Sequence, residues 1–568
     1  MTEPLPSAVR PGRPRRSVQV RFPDGRLYQA PPGTPLEAFV AAVARPGEPL
    51  VVAALVEGKL VELTWPVTHD VAVAPISMSH GDGMRIYQRS LSFLLVVAAH
   101  ELFPQADIVV DHSLTLNGFF CRVEGRAPFS AEELARLEEH MRAIVAADSP
   151  IVRQRVPLDA ARAIFQEQRY DDKVQLLEFR QKDYLTIYTL RGRRDSFYGH
   201  MVPSTRYLDR FALRRYPPGF ILRFPRRRQP DVVPPFRDSP KLGRVFQEYS
   251  EWMRFLEVQD LAGLNRATAS GRIREVILVA EALHAQRIAD IAQEIAGRTG
   301  VGMVLIAGPS SSGKTTFSKR LGVQLLANGI RPLPIGLDDY FVPRQDTPRD
   351  AEGNPDYEAL EAVDLDLFNE QLLALLRGDT VQLPHYNFVT GGREAGPTLA
   401  VHPGQVLVIE GLHGLNPRLI PRIPPECVYR IYASALTQLN LDRHNRIPTT
   451  DTRLLRRIVR DARSRGYTAA ETIARWDLVR RGEERNIFAF QENADAMFNS
   501  ALAYELAVLH PLAEPLLRQV EPGTLEWTEA RRLLAFLEWI SPCSTELIPD
   551  NSILREFVGG SILEGFRF

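Results

Sequence analysis

The stretch "IAGPSSSGKTTF", Ile306 to Phe317, decides the fold. From Gly308 through Thr315 it meets G-x-x-x-x-G-K-S/T at every position, the pattern of a loop whose backbone amides cradle a nucleotide's phosphates. The apolar run "MVLIAG" leads into it. "KTTFSKRLGVQLLANG" follows with helical spacing and ends on Gly329. Strand, loop and helix in that order, with further strand and helix patterns alternating downstream, predict an α/β fold: a doubly wound parallel sheet of the P-loop NTPase kind. Glycines let the backbone approach the phosphates, and the first helical turn attracts negative charge. The expected nucleotide contacts are Gly308, Ser310, Ser311, Ser312, Gly313, Lys314, Thr315 and Thr316. Lys314 suits the β and γ phosphates of a nucleoside triphosphate and Thr315 suits its Mg²⁺, so a nucleotide with Mg²⁺ is the expected cofactor.

Two more strand-like runs end in acids. "RPLPIGLDDYF" reaches Asp338 and Asp339, and "QVLVIEGLHG" reaches Glu410. Neighbouring strands of an open parallel sheet converge at their carboxyl ends. Glu410 is therefore a candidate to hold Mg²⁺, directly or through water, and Asp338 a candidate base for a hydroxyl proton. The alternative is that Asp338 caps a turn and Glu410 pairs with an arginine.

The 568 residues exceed one hydrophobic core, and 45% of them are hydrophobic, enough to build several. Basic and acidic residues number 69 each, so no global field draws the chain to nucleic acid or a membrane surface. Only six of the basic residues are Lys, and one of these stands in the phosphate loop. Three widely spaced cysteines, Cys121, Cys427 and Cys543, argue against a disulfide framework. With no apolar run long enough to span a bilayer, these features predict a soluble cytoplasmic protein.

Pattern changes divide the chain into a loose tail over 1–16, a β-grasp-like unit over 17–76 and an α+β unit over 77–230. A helical connector over 231–300, the α/β sheet over 301–510 and a helical extension over 511–568 follow. "VQVRFPDGRLYQA" reads as a hairpin, and Ser130 with Glu133 as a capping box opening a helix.

In the C-terminal half the motifs resemble the uridine kinase and phosphoribulokinase family. The phosphate loop, "DDYF", "LPHYNF", "VLVIEG" and the Arg-rich "TRLLRRIVRDARSRG" follow that family's order between Val301 and Leu509. The resemblance implies an ATP-dependent kinase with Asp338 as general base and the Arg-rich segment as a lid over the phosphates. Arg457 and Arg460 stand at lid positions, where cations suit charge on a moving phosphoryl group. A solvated basic face with Asp461 paired in place is the alternative for that helix. Asp356, Tyr386 and Arg457 are the implied acceptor contacts, the first two matching members that bind uridine. The His expected five residues after Tyr386 is Gly391, and the Arg expected after Arg465 and Gly466 is Tyr467. Two contacts to a pyrimidine nucleoside are thus missing.

The front half resembles a TGS domain over 17–76 and, from 77 to about 225, the adjoining editing-type domain of threonyl-tRNA synthetases, through "ELFP", "NGFF" and "GHMVPSTRY". Arg89, Phe93, Phe197 and Met201 stand where that editing chemistry needs His and Cys. Binding is therefore expected of this half rather than hydrolysis, with RNA a candidate partner. His100, His112 and His200 nearby read as structural.

Three functions are compatible with these readings. The first is a kinase acting on a small-molecule hydroxyl, a nucleoside above all. An RNA- or translation-linked regulatory ATPase is the second, and a protein holding ATP as a structural ligand the third. Asn precedes none of the six Lys, so the guanine-reading N-K-x-D is absent and ATP is favoured. The sequence leaves the oligomeric state open.

Overall fold

Burial alternates along Val18–Arg21, with Val18 and Val20 inward and Gln19 and Arg21 outward, as a half-buried strand requires. This strand pairs antiparallel with Leu27–Ala30 and parallel with Val71–Ser77. In the computed structural model, which describes residues 16–114, 118–349, 353, 355–387 and 390–566, the two strands belong to a five-stranded mixed sheet completed by Val51–Val56 and Lys59–Glu62. The tail expected over 1–16 lies outside the described residues except for Arg16. Helix Leu36–Val43 turns Leu36, Phe39, Val40 and Val43 into this unit's core.

The next unit is built on helix Gly81–Leu102, whose apolar stretch is buried along most of its length. Helix Ala131–Ala146 starts with the capping box legible in the sequence: the Glu133 amide donates to Ser130 Oγ and the Ser130 amide to the Glu133 carboxylate. A four-stranded antiparallel sheet (Asp107–Leu114, Gly118–Glu124, Gly219–Arg223, Ala212–Tyr216) and a three-stranded one (Val152–Pro157, Tyr184–Leu190, Arg193–Asp195) complete it. Helices Pro240–Phe255, Leu261–Ala269 and Ile273–Gly297 then lead to the C-terminal half.

There, five strands run parallel in the order Arg331–Gly336, Gln405–Glu410, Met303–Ala307, Val428–Ser434, Ala496–Asn499. The central strand, Met303–Ala307, is wholly buried, and helices lie on both faces. Gln405–Glu410 is inserted between the first two strands of the chain order, so the phosphate loop leaves the sheet at a point where strand order reverses. The register pairs both Ile306 and Gly336 with Glu410, bringing the loop, Glu410 and the segment carrying Asp338 to one edge. An antiparallel hairpin, Val381–Asn387 with Gly392–Leu399, projects between two of these strands.

Helix Glu505–Leu517 runs across the boundary expected at 510. The reason is packing: Leu506 to Leu509, Leu533, Phe536, Ile553 and Phe557 share one core with Leu454, Leu455 and Ile458. No helix among the described residues is long and apolar enough to cross a membrane.

The two halves meet through a buried ionic cluster. Lys173 Nζ lies 2.9 Å from both Asp195 and Asp442, and His444 Nδ1 lies 2.6 Å from the other Asp195 oxygen. Asp442 also accepts from the amides of His444 and Asn445, each at 2.9 Å. Two carboxylates removed from water survive only because cations and amides surround them. The Lys173 ammonium lowers the Asp195 pKa to about 2 despite burial, with His444 assisting. Lys173→Met should therefore destabilise the chain by about 3–5 kcal/mol, the cost of stranding buried charge. Thermal unfolding should register it as a clear fall in midpoint, and an unchanged midpoint would show that the cluster contributes nothing.

Candidate active site

The phosphate loop takes its shape from two glycines that tolerate no side chain. A Cβ on Gly308 would lie 1.8 Å from the Ala433 carbonyl oxygen. Gly313 has φ +82° and faces Ile553, whose Cγ2 would be 2.4 Å from a Cβ there. Ser311 also takes a positive φ, of 57°. Lys314 Nζ donates to the carbonyls of Gly308 (2.9 Å) and Pro309 (3.3 Å), so its ammonium lies back across the loop.

Thr315 Oγ1 donates to Glu410 at 3.0 Å. Burial raises the Glu410 pKa, against the pull of Lys314 and the Thr315 hydroxyl. Asp338 is exposed, and its pKa is raised by desolvation from the surrounding protein, opposed by Lys314 and reinforced by Asp339. Lys314, Thr315, Asp338 and Glu410 are thus brought to one place. A hydroxyl and a carboxylate in contact suit Mg²⁺, which takes few protein ligands and keeps its remaining positions for water and phosphate. The loop fits phosphate too. The buried hydroxyls of Ser311 and Ser312 have no hydrogen-bond partner among the described residues, and the Thr316 amide already meets an oxyanion, Glu556, at 3.1 Å.

Of the expected lid arginines, Arg457 reaches the loop and donates to Ser310 Oγ at 2.8 Å. Arg460 does not: its Nε and Nη2 both go to Asp461, at 3.0 and 2.9 Å. The residues that hold the loop are two that the sequence reading passed over. Arg453 donates to the Ser310 carbonyl at 2.9 Å and pairs with Glu483, and Arg456 pairs with Glu505 at 2.5 Å while reaching the Ser311 and Ser500 carbonyls. Both arginines are buried to 1% exposure or less. Their signal was spacing: Arg453, Arg456 and Arg460 recur at three and four residues, one face of a helix.

On the acceptor side, Asp356 accepts from Arg485 at 2.7 Å and from the Glu358 amide at 3.1 Å. The Tyr386 ring is buried edge-on against Phe341, 5.6 Å between centroids, and Asp339 receives the Tyr386 amide. Gly391, where a His is expected, is covered instead by Arg344, whose Nε would be 2.8 Å from a Cβ there. The Tyr467 ring lies 4.3 Å beneath Arg475.

Glu358 links the two sides and was not anticipated. Burial, with Glu483 and Asp356 close by, raises its pKa to about 7, while Lys314 and Arg457 pull the other way. A carboxyl that holds its proton more tightly when folded stabilises the protein below its folded pKa, and that stability is lost as pH rises toward 7. Glu358→Gln should flatten the fall in melting temperature between about pH 5 and 7.5. Identical wild-type and variant profiles would remove Glu358 from the electrostatics of the site.

The positions that resemble an editing centre also come together. Phe93 and Phe197 pack at 5.0 Å between ring centroids, Met201 Sδ lies 3.6 Å from Ser90 Oγ, and Arg89 donates to the His200 carbonyl at 2.6 Å. His112 is sandwiched between Phe120 and Phe246, His200 lies 3.5 Å from Glu62, and His100 lies 3.3 Å from Arg193.

Residues 303–506 match the model of the "Phosphoribulokinase / Uridine kinase family". The N-terminal third is similar to threonine–tRNA ligases. It is 30% identical over 197 residues to that of Symbiobacterium thermophilum, covering 34% of this chain and 30% of the relative. To that of Burkholderia ambifaria it is 34% identical over 202 residues, covering 34% and 31%. The chain therefore spans under a third of the length of these relatives. Among solved structures, a possible uridine kinase from Bacillus stearothermophilus is 20% identical and matches 38% of this chain and 98% of its own, with a TM-score of 0.26. Residues 303–506 thus carry a phosphoribulokinase and uridine kinase family domain, within a chain whose N-terminal third is similar to threonine–tRNA ligases.

Proposed function

We propose that the chain is an ATP-dependent phosphotransferase that acts on a hydroxyl of a small molecule, with a nucleoside as the acceptor class. The observation that carries this reading is the convergence of Lys314, Thr315, Glu410 and Asp338 at one sheet edge. Mg²⁺–ATP, when bound, supplies an activated terminal phosphoryl group. Thr315 and Glu410 would hold the metal. Lys314 and Arg457 set positive charge beside the loop, where negative charge grows during transfer. Asp338, close enough to Lys314 to feel its charge, takes the hydroxyl proton. Desolvation raises its pKa against the opposing pull of Lys314, which makes it a stronger base than a free aspartate. Asp356 and Arg485, in contact with each other at 2.7 Å, offer an acceptor and a donor to a polyhydroxyl substrate.

Asp338→Asn should leave ATP affinity within a few-fold and lower kcat by roughly 10² to 10⁴, the usual range for a general base. Lys314→Ala should abolish transfer in a folded protein. Screening nucleosides, sugars and sugar phosphates for ATP consumption, with products identified by mass, should find one phosphorylated product. Uridine should be a poor acceptor, because Gly391 and Tyr467 offer neither expected contact.

A second reading, an RNA-linked ATPase, is favoured by the similarity of the N-terminal third to threonine–tRNA ligases. If RNA stimulates release of free phosphate while no hydroxyl compound is phosphorylated, this second reading replaces the first.

A further inference from the structure

A cavity of about 500 Å³ lies away from the phosphate loop, between the α+β unit and helix Leu525–Leu537 of the C-terminal extension. Residues 196–200 and the edge strand Val152–Pro157 form its sides, and Leu441, Asp442 and Asn445 of the kinase-like half close one end. No residue of the loop 308–316 lines it. Its size is that of a site for a small organic ligand.

The walls are strongly basic in a chain with no net charge. Ten Lys or Arg line the cavity against three Asp or Glu. Each of the three acids is already matched: Asp82 to Arg85 at 2.7 Å, Asp442 to Lys173 at 2.9 Å and Glu538 to Lys182 at 2.6 Å. Acids behind the lining match others of the ten: Asp195 pairs with Lys173, Glu529 with Arg85, and Asp451 and Glu529 with Arg532. Lys59, Arg89, Arg155 and Arg531 have no ion pair among the described residues, and they carry the excess.

Arg89 concentrates that excess at one point. It forms no ion pair among the described residues; its Nη1 donates only to the His200 carbonyl, at 2.6 Å. The guanidinium lies flat on Gly199, where a Cβ would stand 2.7 Å from its central carbon, and Gly199 holds φ +116°. The chain thus adopts a glycine-only backbone that makes room for a fixed cation. Burial lowers the Arg89 pKa to about 10, with Arg85 and Arg532 repelling it and Tyr188 and Tyr198 opposing the shift. A charged guanidinium in that setting is costly until an anion joins it, and its planar fork matches phosphate or carboxylate.

Aromatic rings supply the remaining surface. Trp527, Trp539, Tyr184 and Tyr198 all line the cavity. Arg531 lies over Trp527 at 4.8 Å and Arg155 over Tyr184 at 4.2 Å, so cations and ring faces already alternate in the walls.

We infer that this cavity is a binding site for a small organic anion, a planar ring carrying a phosphate or carboxylate, with Arg89 receiving the anionic group. This site is separate from the phosphate loop, and its assignment does not rest on the phosphotransferase reading.

The test is isothermal titration calorimetry on the full chain carrying Lys314→Ala, which silences the phosphate loop. The probes are AMP, UMP, phenyl phosphate and benzoate. Adenosine is the neutral control. At least one anion should bind with a stoichiometry of one, and adenosine should bind more weakly than AMP. Adding Arg89→Met should weaken binding about 10- to 100-fold, the span of one hydrogen bond to a charged group. Phenyl phosphate against benzoate decides which anionic group is preferred. If Arg89→Met does not fold by thermal unfolding, Arg153→Ser with Arg155→Ser, both exposed on the rim, should still weaken binding several-fold at low salt. No binding by any of the four anions, or binding indifferent to these substitutions, overturns the inference. Binding of a short single-stranded RNA in place of all four would also overturn it, in favour of a nucleic-acid end.

Discussion

The phosphate loop can offer its amides outward only if its carbonyls are satisfied from behind, and two buried arginines meet that requirement. Arg453 takes the Ser310 carbonyl and Arg456 the Ser311 carbonyl, both from the helix Thr449–Ser464. Neither guanidinium could lie buried without an acid, and Glu483 and Glu505 provide the charges from two other helices. Three helices more than a hundred residues downstream are thereby tied to eight residues of loop. The inner face of the Arg-rich helix is committed to structure, which leaves Arg457, on the same helix but directed to Ser310 Oγ, as its contribution at the loop surface.

The joint between the halves is ionic as well. Beyond the Lys173 cluster, Arg532 binds Asp451 through both nitrogens, at 2.6 and 2.9 Å, and Glu529, while Glu529 also receives Arg85 from the N-terminal half. Asp451 lies in the first turn of the Arg-rich helix, where a carboxylate is favoured by the helix dipole. A continuous chain of charges therefore runs from helix Gly81–Leu102 to the start of the helix that holds the loop. Every link is a hydrogen-bonded pair removed largely from solvent, so each loses most of its value when either partner is missing.

Local chemistry was legible in the sequence. The loop motif, the strand ends at Asp338 and Glu410, the capping box at Ser130 and the hairpin at Asp24 and Gly25 are each specified by residues a few positions apart. Partnerships across long separations were not legible, because no local pattern encodes them. Arg453 meets Glu483 thirty residues on, Arg456 meets Glu505 forty-nine residues on, and Thr316 meets Glu556 across 240. Glu358 was missed for the same reason, since only burial beside Glu483 gives it an unusual proton affinity. Val428–Ser434, with six of seven residues buried, showed no alternation, as expected for a strand covered on both faces. Arg344 over Gly391 could not be read either, for an arginine in a loop of unknown course has no assigned neighbour.

The contact between Glu556 and the Thr316 amide would make phosphate capture at that amide an exchange rather than a simple association. A phosphate oxygen arriving at that amide takes a place that a carboxylate of the same chain already holds at a high local concentration. The apparent dissociation constant is then the intrinsic one divided by the fraction of molecules in which the carboxylate has left. A loop with strong inherent affinity can in this way present a weak one, and the occupancy of the site becomes a measure of how the last turns of the chain are disposed.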